Sequence, residues 1–217
     1  MRNIEILHED NYSIIINKPA GLSVQGGKGV KTSLDKILAE IRSPPPLLVH
    51  RLDKDTSGLL LTAKGREAAA RFSFLLGDKN KTVKQYIAVC SGHPEKNEGI
   101  ITQELNIRGS MKKSITKYRV IKNGNLPPGN FSEKLDFSVL ELELGTGRMH
   151  QIRRHLAMIG NPILGDDKYG DFTLNKKLHK VICLKRLLLH ASRLIIKDEY
   201  HLDIIAPIPD CFKIYLQ

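Results

Sequence analysis

The sequence predicts an α+β protein, with a mainly antiparallel (mixed) β-sheet and flanking helices. Three observations predict it. Strand-patterned segments outnumber helix-patterned ones, and neighbouring strands follow each other as hairpins more often than in regular βα alternation. The chain of 217 residues, 41% hydrophobic and 26% charged, also has an ordinary globular composition. A chain of that length can bury roughly 70% of its unfolded surface.

The elements follow in order. Asn11 to Asn17 is short and β-branched, and Lys18-Pro19-Ala20-Gly21 ends it, which reads as a strand running into a turn. Thr32 to Arg42 reads as a helix. Thr32 and Asp35 have capping-box spacing, and Leu34, Ile37, Leu38 and Ile41 share one face. Ser43-Pro44-Pro45-Pro46 stops it. Leu59 to Ala63 reads as a buried strand and Glu67 to Leu76 as a helix ended by Gly77. Strand composition returns at Thr82 to Cys90, Ser114 to Ile121, Phe137 to Leu144, Arg193 to Lys197 and Tyr200 to Ile205. Within the third of these, Leu140, Leu142 and Leu144 alternate with Glu141 and Glu143, the mark of a half-buried strand. Arg148 to Ile159 reads as a helix with Met149, Ile152, Leu156 and Ile159 as its apolar stripe, terminated by Gly160-Asn161-Pro162.

No internal repeat, low-complexity tract or linker divides the chain, so residues 1–217 are expected to form a single domain. Apolar runs such as Leu59 to Leu61 and Leu187 to Leu189 fall far short of the ~18 residues of a membrane span. Met1 to Asp10 has no apolar core and is no secretory signal. Cys90, Cys183 and Cys211 are odd in number and far apart, which fits reduced thiols in a cytoplasmic protein.

Charge narrows the function. Lys plus Arg is 34 against 23 Asp plus Glu, a net +11, which points to a polyanionic partner. Six basic residues (Arg108, Lys112, Lys113, Lys117, Arg119, Lys122) and no acidic one lie between Leu105 and Ser132. A second cluster is Arg148, Arg153 and Arg154, and a third is Lys176, Lys177, Lys180, Lys185 and Arg186. Such asymmetry suggests a phosphate-binding surface.

Three stretches could carry chemistry. His50-Arg51-Leu52-Asp53-Lys54-Asp55-Thr56-Ser57-Gly58 sets two carboxylates among basic residues. Asp53 could be a nucleophile or a structural ion pair; Asp55 fits a turn in which its side chain binds backbone amides. Gly145-Thr146-Gly147-Arg148-Met149-His150-Gln151 feeds a glycine turn into a helix, an arrangement suited to anions. His150 and His155 are five apart, not the four that would share a helical face, and that helix carries no Cys or carboxylate, so no metal is expected. In Lys84-Gln85-Tyr86, the tyrosine is either a half-buried strand aromatic or a ring for base stacking.

Taken together, these stretches resemble the motifs of the RluA-type pseudouridine synthases. Asn17-Lys18-Pro19-Ala20-Gly21-Leu22 is similar to the family's first motif. His50-Arg51-Leu52-Asp53 with Thr56-Ser57-Gly58 is similar to the motif that holds the catalytic Asp. Lys84-Gln85-Tyr86 resembles the active-site Tyr motif, and Thr146 to Arg153 the motif with the active-site Arg. Leu187-Leu188-Leu189-His190-Ala191 resembles a late strand that lends an apolar contact. The matches run in the family's order from about residue 5 to residue 206. Val24-Gln25-Gly26-Gly27 and Gly165-Asp166-Asp167-Lys168-Tyr169-Gly170 look most like RluC-type enzymes of the ribosomal large subunit, although Gln25 stands where those often have His. Such enzymes usually begin with a small RNA-binding domain; this chain is expected to be the catalytic domain alone.

The resemblance implies a pseudouridine synthase fold with a central basic RNA-binding cleft. It implies isomerisation of uridine to pseudouridine, in large-subunit rRNA first and tRNA second, without metal or nucleotide cofactor. Asp53 would be the nucleophile or charge stabiliser, Arg148 its cationic partner, Tyr86 the ring stacked on uracil and Leu189 the apolar wall. Arg51, Lys18, His150, Gln151, Arg153, Lys112 and Lys113 would hold the RNA. A monomer in the cytoplasm, away from membranes, is expected. Two other classes compete: a non-catalytic RNA-binding module with Asp53 as a structural ion pair, and a glycosidic-bond hydrolase using Asp53 with Asp55.

Overall fold

A computed structural model describes residues 4–126, 134–199 and 201–217. Its first half holds strands β1 (Glu5–Glu9) and β2 (Ser13–Lys18), helix α1 (Leu34–Ile41), β3 (Leu47–Leu48), β4 (Ser57–Ala63), α2 (Arg66–Gly77), β5 (Thr82–Ser91) and β6 (Glu98–Ile101). There follow β7 (Leu105–Ile107), β8 (Ser110–Lys112), β9 (Thr116–Leu126), β10 (Leu135–Leu144), α3 (Gln151–Met158), α4 (Phe172–Ile182), β11 (Leu189–Ile196), β12 (Leu202–Ile205) and α5 (Asp210–Leu216). The expected α+β class with antiparallel pairing is what these elements form. Among the described residues, no helix is long and apolar enough to cross a membrane.

The chain divides into two compact units, Met1–Lys84 with Ala191–Pro207 and Gln85–His190 with Ile208–Gln217. In the first, β1, β2 and β4 pair antiparallel in that order, β3 joins β4, and β12 joins β11. Every residue of β4 is buried, which is why Leu59-Leu60-Leu61 reads as a continuous apolar run and not as an alternation. Ile14, Ile15 and Ile16 of β2 face it across the ladder and are equally buried. Leu34 and Leu38 of α1, with Phe72 and Leu75 of α2, complete this core.

In the second unit, β5, β10, β9 and β6 pair antiparallel in that order, and β7 and β8 form a hairpin. Leu140 and Leu142 point into the core as their alternation predicts. Phe137 of β10 meets Tyr215 of α5 edge-on at 5.0 Å between ring centres.

Several boundaries differ from expectation. The first helix begins at Leu34, two residues late, because Ser33 and not Thr32 stands at its cap; the Ser33 hydroxyl donates to the Asp35 carboxylate. The helix expected from Arg148 begins at Gln151. His150 before it has left-handed backbone (φ 53°), so Arg148, Met149 and His150 form a loop and Met149 is exposed. The strand expected from Ser114 runs from Thr116 to Leu126. Helices α4 and α5 were not expected. Met1 to Asn3, the end of the basic stretch at 127–132 and Tyr200 of the last expected strand lie outside the described residues.

Candidate active site

The first unit carries Asp53 on the loop between β3 and β4. Asp53 and Asp55 are half-buried there and Arg51 is exposed. The loop is tied down on both sides of Asp53. Upstream, the ring nitrogen Nε2 of His50 accepts the Leu61 N–H of β4 at 3.0 Å. Downstream, the Thr56 N–H closes the turn on the Asp53 carbonyl at 3.2 Å, while the Lys54 carbonyl accepts the Gly21 N–H at 2.9 Å. Among the described residues no amide donates to the Asp55 side chain, so the turn is a backbone turn and not the side-chain turn expected of Asp55. Gly58 follows at φ +106°, and a Cβ there would lie 2.2 Å from the Ala191 carbonyl oxygen. Only glycine fits this strand, which explains the Thr56-Ser57-Gly58 pattern.

Lys18 was expected to hold RNA, and the structure corrects this. Its side chain is fully buried. Its ammonium donates to the carbonyls of Pro19, Leu22 and Lys54, each at 2.9 Å. Three donor bonds use all three hydrogens of an ammonium. Lys18 therefore braces the Pro19 to Leu22 turn against the Asp53 loop and offers nothing to a phosphate.

His50 must be neutral to accept at Nε2. Burial, with Lys84 nearby, lowers its pKa from 6.5 to about 3. Because the folded value lies below the unfolded one, its contribution to stability is complete above pH 6.5 and is lost as pH falls toward about 3. His50→Gln should therefore flatten the decline of Tm on acidification below pH 6.5, measured by thermal melts of both proteins. Parallel declines would remove His50 from this role.

The second unit carries Tyr86, Arg148 and Leu189. Tyr86 lies on β5 opposite Leu142 of β10 and is buried. Leu189 opens β11 and is buried; the carbonyl of Leu188 before it accepts the Val89 N–H of β5 at 3.1 Å. Arg148 is exposed on the loop that leads into α3. That loop starts at Gly145, whose N–H donates to the Ile115 carbonyl at 2.9 Å. A Cβ on Gly145 would sit 3.0 Å from the Ile115 Cβ, a tight approach that would push Ile115 by a few tenths of an ångström.

Two more expected RNA contacts are buried instead. Arg153 grips Asp166 bidentately, Nε at 2.8 Å and Nη2 at 2.6 Å, and reaches Asp167 at 2.9 Å. Burial would raise the Asp166 pKa, but the bonds from Arg153 and from the amides of Tyr169 and Lys168 hold it below the ordinary carboxylate value. Gln151 is buried as well, with both amide atoms bonded inside the fold. His150 stays half-buried, its Nδ1 3.1 Å from the Tyr169 hydroxyl. His155 is fully buried against Thr116 and Gln103.

The basic stretch on β9 is partly neutralised. Lys117 pairs with Glu143 and Arg119 with Glu141, both at 3.1 Å across the β9–β10 ladder. Lys112 and Lys113 at the end of the β7–β8 hairpin are exposed. So are Lys176, Lys177 and Lys180 of α4, whose segment from Phe172 to Arg186 contains no acidic residue.

Comparison with known proteins matches residues 11–158 to the model of the family described as RNA pseudouridylate synthase. The chain is 36% identical over 209 residues to ribosomal large subunit pseudouridine synthase C of Rickettsia typhi, covering 89% of this chain and 63% of that protein. It is 35% identical over 219 residues to the protein of the same name from Buchnera aphidicola, covering 97% and 69%. Among solved structures, human RNA pseudouridylate synthase domain containing 4 superposes with a TM-score of 0.78 at 26% identity, over 96% of this chain and 90% of that one. The chain thus spans about two thirds of the length of these bacterial relatives.

Proposed function

Since the chain belongs to the RNA pseudouridylate synthase family and has the pseudouridine synthase fold, we propose that it converts uridine to pseudouridine in RNA. The large-subunit rRNA is its first expected substrate and tRNA the alternative. The observation that carries this reading is a half-buried Asp53 on a loop anchored on both flanks, inside the segment that matches the family.

The reaction breaks the bond between uracil N1 and the ribose C1′ and forms one between C5 and C1′. C5 loses a proton and N1 gains one, so the RNA keeps its mass. Asp53 supplies the carboxylate that acts at the sugar–base unit. Its backbone anchors hold it in place, which spares the reaction the cost of orienting a mobile group. Tyr86 is the ring for the uracil, Leu189 the apolar wall that keeps water from the cleaved state, and Arg148 the cation of the site. Arg51 and His150 are RNA contacts in this reading. The target uridine leaves its stack at a cost of a few kcal/mol, least in a loop or bulge. The protein acts as a monomer in the cytoplasm in this reading.

Lys112, Lys113 and the α4 lysines are the phosphate contacts in this reading. Lys117 and Arg119 do not, because their charge is met by Glu143 and Glu141. Replacing Lys176, Lys177 and Lys180 by Gln should weaken RNA binding and reduce the slope of log affinity against log salt by about 0.7 per lost phosphate contact. Replacing Lys117 and Arg119 by Gln should leave the slope unchanged. Salt titrations of RNA binding measure both, and equal slopes for the two variants would reverse the assignment.

The test of function is tritium release from RNA labelled at uracil C5, with large-subunit rRNA and bulk tRNA in parallel. Release from rRNA supports the first substrate, and release from tRNA alone supports the alternative. Tight binding without release from either favours the binding-module reading.

A further inference from the structure

Gln151, Thr116 and His155 are buried polar residues of the second unit for which the chemistry above has no use. Gln151 and His155 lie one helical turn apart on α3 and both reach Thr116 of β9. Their hydrogen bonds have only one consistent direction. His155 Nε2 faces the Gln103 carbonyl at 3.0 Å, and a carbonyl only accepts, so Nε2 carries the hydrogen. Nδ1 of the neutral ring is then an acceptor and takes the Thr116 hydroxyl hydrogen at 2.9 Å. The Thr116 oxygen in turn accepts from Gln151 Nε2 at 2.9 Å. The other Nε2 hydrogen goes to the Ile115 carbonyl, also at 2.9 Å.

This orients the Gln151 amide so that Oε1 faces the loop. Oε1 accepts the backbone N–H of Arg148 at 3.1 Å and the Thr146 hydroxyl at 2.6 Å. The Thr146 oxygen accepts the Ile115 N–H at 3.0 Å, closing the circuit. Rotating the amide by half a turn would set two donors against each other at Arg148 and two acceptors at Ile115. Each buried group has a partner in one arrangement only.

The loop needs such a hold. It contains Gly145 and Gly147 and ends in the left-handed His150, which makes no side-chain cap on α3. We infer that Gln151, oriented by Thr116 and His155 behind it, is the positioning residue for Arg148: it clamps the arginine's backbone so that the exposed guanidinium is presented from one place. This inference rests on the reading that Arg148 serves the isomerisation. A displacement of about 1 Å at a reacting group can cost about 100-fold in rate.

The test compares Thr116→Val, Thr116→Ser and Gln151→Met by two readouts. The first is hydrogen exchange at the Arg148 amide, which needs no activity. The second is kcat and KM for tritium release, each variant also made with Arg148→Lys. Thr116→Val and Gln151→Met should speed Arg148 amide exchange and lower kcat about 10- to 100-fold with KM unchanged. Thr116→Ser, which keeps the hydroxyl, should restore both. With Lys at 148 the same changes should cost little more, because the clamp acts through the arginine. Should Gln151→Met fail to fold, the Val and Ser pair at Thr116 decides. Unchanged amide exchange, or a kcat loss equally large in the Arg148→Lys background, overturns the proposal. Wild type that releases no tritium overturns the functional reading instead, and amide exchange still reports whether the clamp exists.

Discussion

Asp53→Asn is expected to bind RNA as the wild type does and to lower tritium release by about 1,000-fold or more. Asparagine keeps the size of aspartate but cannot act as a nucleophile or carry its charge. Backbone groups and His50 also anchor the loop: the Thr56 and Gly21 amides donate to the Asp53 and Lys54 carbonyls, and His50 accepts from β4. Loss of turnover with thermal melts that match the wild type reports chemistry and not unfolding. The rival classes give different products. A hydrolase working through Asp53 and Asp55 would release free uracil and shorten the mass balance of the RNA. A binding module would show neither product, and Asp53→Asn would change only its stability. Full tritium release by the variant would remove Asp53 from the reaction.

Lys18→Met is expected to destabilise the protein by about 3 kcal/mol, because three carbonyls around a buried ammonium lose their shared donor while the apolar stem stays filled. In a chain of this length that is a fall in Tm of about 6–12 °C. The salt slope of RNA binding should not move, since the ammonium faces Pro19, Leu22 and Lys54 and not solvent. An unchanged Tm with a smaller salt slope would return Lys18 to the RNA-binding set. Turnover should also fall, as the brace ends on the carbonyl next to Asp53.

Much of the fold was legible from local pattern. The apolar run Leu59 to Leu61, Leu140 and Leu142 of the alternating stretch and the β-branched Ile14 to Ile16 are buried where the pattern puts them, while Leu144, the third leucine of the alternation, stays half-buried. Helix starts were less legible. The Arg148 helix begins late because Gln151 takes up the Arg148 amide and His150 adopts a left-handed turn, neither of which leaves a mark in hydrophobic periodicity. Helix α4 was missed because its exposed face mixes Phe172 with lysines and only Leu178 is fully buried.

The candidate site divides in the same way. The order and identity of the motifs, and the family, follow from the sequence alone, because each motif is a short stretch whose residue types are its signature. What a charged residue does was decided by tertiary structure. Lys18, Arg153, Lys117 and Arg119 look alike in composition to Lys112 or Lys176, yet the first meets three carbonyls and the others meet Asp166, Glu143 and Glu141. Those partners come from other strands or from loops beyond the residue's own element, so local charge counts cannot see them. Gln151 shows the same limit: a polar residue in an RNA-enzyme motif reads as a contact for RNA, and only the fold, by bringing Ile115 and Thr116 against α3, turns it into the clamp of the loop it follows.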